Sequence, residues 1–263
     1  EFIHEGRDFY RTIENIQTYA QVKQTAPALS TAPYTWYPQT EFCYIRNNNF
    51  FFAAKGGFNN ESHNHNDVGT FSLYYKNIPF IIDVGVGTYT KETFSSKRYS
   101  IWTMQSNYHN VPLINGQAQP FGAQYKAQQA KFDPKKNSFS LDLTQAYPKD
   151  AGIKQWDRRF TLQANGLTIT DDAELTRADS TTAFHLMSWA KPVIGNNGTI
   201  VLEKQNETLT IQYDPKLLSA TYETIPVTDP RLSNVWGKEV YRIVLTARSK
   251  KLKQQYKIML TGK

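Results

Sequence analysis

The chain has 263 residues, a formal net charge of +7, 40% apolar and 14% aromatic residues, and one cysteine. That length accommodates one large all-β domain or two smaller ones around a substantial core. Cys43 alone excludes an intrachain disulfide, and no apolar run is long enough to cross a membrane as a helix. The positive charge suits an anionic partner, but Lys and Arg are scattered and not interleaved with aromatics, which argues against a nucleic-acid module.

Glu5 to Gln24 carries the one convincing helical pattern. Phe9, Ile13, Ile16 and Ala20 recur near helical spacing, and Pro27 lies just past the end. Thr25 to Pro38, with Pro27, Pro33 and Pro38, reads as a linker or wrapped loop. Strands follow at Phe42–Arg46 and Phe50–Ala54, joined by an Asn47-Asn48-Asn49 turn. Thr70–Tyr75 and Ile78–Asp83 form the next pair, joined at Asn77. Thr90 to Asn107 has weak periodicity, and long irregular segments inside a compact domain are often functional. Val111–Ile114 is a strand ending at the Asn115-Gly116 turn. From there strands read at 124–132, 138–143, 153–162, 167–175, 182–189, 199–203, 208–213, 220–224, 240–247 and 254–260. So many short strands, so closely punctuated, predict an all-β fold: a large antiparallel β-sandwich with one N-terminal helix. The basic run Lys250-Lys251-Leu252-Lys253 falls between two late strands and reads as a solvated turn.

The chemistry concentrates in Glu61-Ser-His-Asn-His-Asn-Asp67. In an extended strand, His63, His65 and Asp67 share one face, with Asn64 and Asn66 on the other. The return strand ends in Asp83, before Gly85 and Gly87, and His109 closes the irregular segment. Two imidazoles and a carboxylate gathered from separate strands make a zinc-type ligand set. Each member has a plainer reading. His-x-His is common on exposed strands, Asp83 suits a turn, and His109 suits a core histidine bonded to a carbonyl. His185, within a β run, reads as a packed histidine, and His4 near the terminus as unimportant.

His63-Asn-His-Asn-Asp67, Phe71–Tyr75, Pro79-Phe-Ile-Ile-Asp-Val-Gly85, Tyr89 and Tyr108-His-Asn-Val-Pro-Leu-Ile-Asn-Gly-Gln117 resemble the heparinase II/III-like domain of bacterial polysaccharide lyases. Arg158-Arg159-Phe160, Asp171-Asp172 and Phe184-His-Leu186 fit as well. The resemblance implies a domain of this type over 39–263, with 1–38 the last helix and linker of an upstream (α/α) toroid that supplies the other half of the cleft. It implies β-elimination of uronic-acid polysaccharide, acidic saccharide as partner, and a bacterial periplasmic or secreted location. It implies zinc on His65, Asp83 and His109, with His63 facing substrate. Elimination removes a weakly acidic proton α to a carboxylate, so the site must neutralise that carboxylate, take the proton and protonate the leaving oxygen. His63 and a tyrosine, Tyr99 or Tyr89, are the catalytic candidates, and Arg98 is the candidate substrate cation. A non-catalytic carbohydrate-binding sandwich with a structural zinc is the alternative, and a zinc hydrolase a third. Asp67 and Asn110 are the expected partners behind the ligands.

Overall fold

The computed structural model describes residues 9–24 and 32–263. It divides into a unit ending at Ala32 and a second unit, Pro33–Lys263. In the first, helix α1 spans Phe9–Gln24, with no buried residue. Residues 5–8 of the predicted helix and 25–31 of the predicted linker lie outside the described residues.

The second unit is a framework of strands joined by turns, 3-10 turns and one short helix. In chain order the strands begin β1 (Tyr34–Tyr37), β2 (Phe42–Arg46), β3 (Phe50–Lys55), β4 (Phe58–Asn59), β5 (Phe71–Tyr75), β6 (Ile78–Ile81) and β7 (Pro112–Leu113). Next come β8 (Gly122–Lys126), β9 (Gln128–Asp133), β10 (Ser138–Asp142), β11 (Ile153–Gln163), β12 (Gly166–Leu175) and β13 (Ala183–Ser188). The last are β14 (Pro192–Ile194), β15 (Thr199–Lys204), β16 (Glu207–Tyr213), β17 (Leu218–Pro226), β18 (Glu239–Ala247) and β19 (Lys253–Gly262). One sheet runs β1-β2-β3-β5-β6-β13-β18-β17, with β7 also on β13. The other runs β14-β15-β16-β19-β12-β11-β10-β9, and β4 and β8 form a small separate pair. The pairing is antiparallel throughout, for example Phe52 opposite Leu73 and Arg158 opposite Asp171.

The antiparallel sandwich is therefore present, and the period of two explains why. Along β11 the burial alternates from Trp156 to Leu162, and along β3 Phe50, Phe52 and Ala54 turn inward. The inward faces interlock: Phe160 of one sheet meets Phe52 and Phe71 of the other, each at 5.2 Å between ring centroids. Cys43 faces this core, fully buried, and burial pushes its thiol up to about 12. One ion pair is buried here. Arg158 donates to both carboxylate oxygens of Asp171 and also to the Asn110 carbonyl, at 3.0 Å.

A second, smaller apolar cluster lies apart from the first. Ile82, Val84, Met187, Ile225, Val227, Leu232 and Val240 pack with Trp102, Tyr108, Trp189 and Trp236. It is built by the segment after β6, by residues of β13, β17 and β18, and by helix α2 (Pro230–Trp236).

Several elements differ from the sequence reading, among them the short strands β4 and β14, where none was expected. Tyr34–Tyr37, expected in a linker, is the edge strand β1. Pro33 and Pro38 flank rather than interrupt it, as edge strands permit. The single strand expected over 124–132 is two strands, β8 and β9, that break at Ala127 and join different sheets. Helix α2 was not anticipated, although Asp229-Pro230 is a start signal: the Asp229 carboxylate accepts from the Arg231 and Leu232 amides.

Candidate metal centre

Residues 61–69 form a turn-rich loop, not the extended strand that the His-x-His-x-Asp spacing suggested. His63 takes a left-handed backbone, φ 59°, so the alternation breaks there. His63 is exposed, whereas His65 is half-buried and Asp67 is buried. The loop is pinned from several sides. The Asn59 and Gln119 side chains accept from the Asp67 and Val68 amides, at 3.2 and 2.9 Å. Arg98 donates to the Asn64 carbonyl at 2.9 Å, and the Tyr99 hydroxyl donates to Asn64 Oδ1 at 3.1 Å.

The irregular segment 90–108 condenses into four short 3-10 turns. Its end is fixed by Asn110, whose side-chain amide donates to the Phe71 and Ile82 carbonyls and accepts from the Met187 amide. Asn110 thus joins three strands and stands behind no imidazole, contrary to expectation. This anchorage delivers His109 to Asp83, Nδ1 to Oδ2 3.0 Å, with Nε2 at 3.1 Å from the Thr103 carbonyl.

His65, Asp67, Asp83 and His109 bring one ligand atom each to within 4.8 Å of one another. The three predicted zinc ligands converge, and Asp67, expected behind them, stands among them. The donor set is nitrogen and oxygen, as zinc takes. The Thr103 carbonyl can only accept, so His109 Nε2 carries a hydrogen. The Nδ1 lone pair then faces the Asp83 carboxylate. Two acceptors at 3.0 Å need a cation between or beside them, a proton or a metal.

The charges follow the same geometry. Burial, then His109, lowers the His65 pKa and favours its neutral, ligating form. Burial works against a charged His109, but the Asp83 carboxylate outweighs it and the net shift is upward. Burial would raise the Asp83 carboxyl, yet the charge and hydrogen bond of His109 hold it well below the usual carboxylate range. Burial likewise opposes the Lys55 charge. Asp67, at 2.9 Å, prevails and keeps it protonated.

A cavity of about 430 Å³ opens on the cluster, lined by His63, His65, Asp67, Asp83, Lys55 and Tyr44 among others. Tyr99 reaches the loop through Asn64 and stacks on Phe121 at 4.8 Å. Each Arg98 terminal nitrogen gives one of its two hydrogens to a carbonyl, that of Thr93 or Asn64, which braces the loop. Tyr89 is 41% exposed and meets Phe94 and Arg231, none of them in the cluster. Sequence reasoning missed Lys55 and the Thr103 carbonyl. Lys55 is one of many lysines, and a backbone carbonyl leaves no trace in residue identity.

The heparinase II/III-like C-terminal family model matches residues 30–257. The chain belongs to that family. As a heparinase II/III-like sandwich it superposes on heparan sulfate lyase HepC from Pedobacter heparinus with a TM-score of 0.71 at 18% identity, covering 96% of this chain and 40% of that one. A heparinase III gene product gives 0.69 at 16% identity, covering 97% and 41%. These identities establish the shared fold, and the chain spans about 40% of the length of those lyases. No curated protein matches.

Proposed function

We propose that this chain is the C-terminal sandwich of a lyase that cleaves uronic-acid-containing polysaccharide by β-elimination. It contributes a zinc site and one wall of the cleft. The observation that carries the reading is the convergence of His65, Asp67, Asp83 and His109 beneath an open cavity that His63 lines.

His65, Asp83 and His109 would hold the metal, with Asp67 beside them and the Thr103 carbonyl orienting His109. Zinc there would supply a fixed positive charge that fastens the loop, the end of β6 and the irregular segment together. His63 stands outside the ligand set with its side chain exposed, free to exchange a proton with a bound sugar. Tyr99 is the second candidate. Burial raises its pKa, so it keeps its proton at neutral pH and suits a donor to the departing oxygen. Arg98 acts through Asn64, holding the turn that aims His63. Tyr89 is the weaker catalytic candidate.

One wall does not make a cleft. Positioning of base, acid and carboxylate-neutralising groups around one sugar dominates such chemistry. The test incubates heparan sulfate, chondroitin and alginate with this chain and with a protein carrying the upstream toroid, following the absorbance of the unsaturated uronate. The expected result is negligible turnover by the chain alone. In the longer protein, His63→Ala should cost about 100-fold or more. Reducing ends formed without the unsaturated product would instead establish hydrolysis. Robust elimination by the chain alone would overturn the split cleft.

A further inference from the structure

The cavity over the metal centre extends away from the ligands, along the outer face of one sheet. Its far lining is Phe42, Tyr44, Ala53 and Ser72. On β2, β3 and β5 the core takes Cys43, Ile45, Phe50, Phe52, Phe71 and Leu73. By alternation Phe42, Tyr44, Phe51 and Tyr74 point outward, and each remains half-buried rather than covered. Their rings form a row. Phe42 and Tyr44 lie 6.3 Å apart and 9° from parallel, and Tyr44 and Phe51 lie 6.2 Å apart at 21°. Tyr74 meets Phe51 edge-on at 5.8 Å.

The register gives the row a floor. Tyr44 is opposite Ala53, and Ala53 is opposite Ser72, so two small side chains lie beside the tyrosine ring. Phe42 is opposite Lys55 at the metal end, and Phe51 is opposite Arg46 at the other. Those ends are four residues apart on β2, about 13 Å, longer than one sugar ring. Beyond Phe51 a second cavity of about 440 Å³ is lined by Arg46, Asn48, Asn49, Tyr74 and Lys76.

A sugar ring has an apolar face of C–H bonds that packs on aromatic surface, while its rim of hydroxyls and carboxylates takes polar partners. Aromatic rings in file, small residues between them and the basic Arg46 at the far end match that chemistry, while Lys55 at the metal end is held by Asp67. The face is continuous with the cavity that His63 lines, and the chain carries a net positive charge.

We propose that the outer face of β2-β3-β5 is a binding track for the further sugar units of an acidic oligosaccharide whose reacting unit lies at His63. The proposal rests on the lyase reading of this site. Disaccharides fill the His63 end only, and octasaccharides reach along the aromatic row to Phe51.

The experiment titrates the chain with heparan sulfate and alginate disaccharides and octasaccharides by calorimetry, and scores the better-bound series. Tyr44→Ala and Phe51→Ala should each weaken octasaccharide binding about tenfold, and Phe51→Ala should weaken disaccharide binding less than about twofold. Tyr44→Phe should keep wild-type affinity, and His63→Ala should weaken both lengths alike. Equal loss at both lengths in Phe51→Ala, or loss at neither, overturns the track. If His63→Ala still weakens both lengths, the lyase reading survives that failure. Binding of neither length by the wild-type chain overturns the track, whereas the lyase reading falls only if the longer protein forms no unsaturated product. A lowered melting temperature in Tyr44→Ala with unchanged octasaccharide affinity also overturns the track and makes the row a protein-packing surface.

Discussion

The interior between the two sheets and the segment from Asp83 to Val111 meet at Arg158, yet different forces hold them. The interior is an apolar layer in which Phe52, Phe71, Trp156, Phe160 and Phe184 are all but inaccessible. Its stability scales with area and tolerates exchanges of similar volume. The segment is four 3-10 turns tied down at points: Asn110 to three strands, Arg98 to the Thr93 and Asn64 carbonyls, and His109 between Asp83 and Thr103. Point attachment fixes side chains precisely without filling volume, which suits a site that must stay open.

Arg158 belongs to both regions, so it tests the contrast most severely. Arg158→Met leaves Asp171 buried beside Trp156 with its charge uncompensated, and also frees the Asn110 carbonyl. The expected loss is about 3–5 kcal/mol in urea unfolding. A change under about 1 kcal/mol would mean that the sandwich needs no polar tie to the segment.

Asn110→Ala removes three buried bonds with little volume, at an expected cost of about 2–3 kcal/mol. Hydrogen exchange should accelerate in 83–111 well before the amides of β11 and β12. Uniform acceleration would show that segment and interior unfold as one.

Zinc offers a gain instead of a loss. At a hundred times its dissociation constant it should add about 2.7 kcal/mol, and a chelator should remove that gain. His65→Ala should abolish the response, while His63→Ala should leave it intact. Stabilisation that survives His65→Ala would place the metal elsewhere.

The smallest effect at neutral pH concerns His185. Burial, and then the nearby Arg242 charge, lowers its pKa to about 3, and its Nδ1 has no partner. The unfolded chain takes up this proton near the ordinary histidine value and the folded chain only near pH 3. The histidine's contribution is therefore complete above about pH 6.5 and lost as the pH falls towards 3, at about 1.4 kcal/mol per unit. His185→Gln should flatten that part of the stability profile. An unchanged profile would show that His185 titrates normally in the fold.

The same contrast explains what was legible in the sequence. Strands such as β3, β11 and β12 declare themselves through alternation, because each residue's burial depends on its parity. The ligands were legible as residue types brought together by strand ends. Their arrangement was not: alternation placed His63 with His65, whereas its left-handed backbone separates them. Nor could spacing show that Arg98 braces a turn, since an arginine held by two carbonyls reads like an arginine in water. Edge strand β1 was hidden by its flanking prolines, and α2 is too short to show a period.

Cys43 has a practical consequence. Its thiol is the chain's only one, is sealed between the sheets, and is held protonated far above working pH. A maleimide reagent should leave the folded protein unlabelled. A cysteine introduced at Asn48 or Lys97, both exposed, would then carry a single fluorophore without removing the native thiol. Dyes at those two positions would report separately on the far end of the aromatic row and on the irregular segment as metal or saccharide binds.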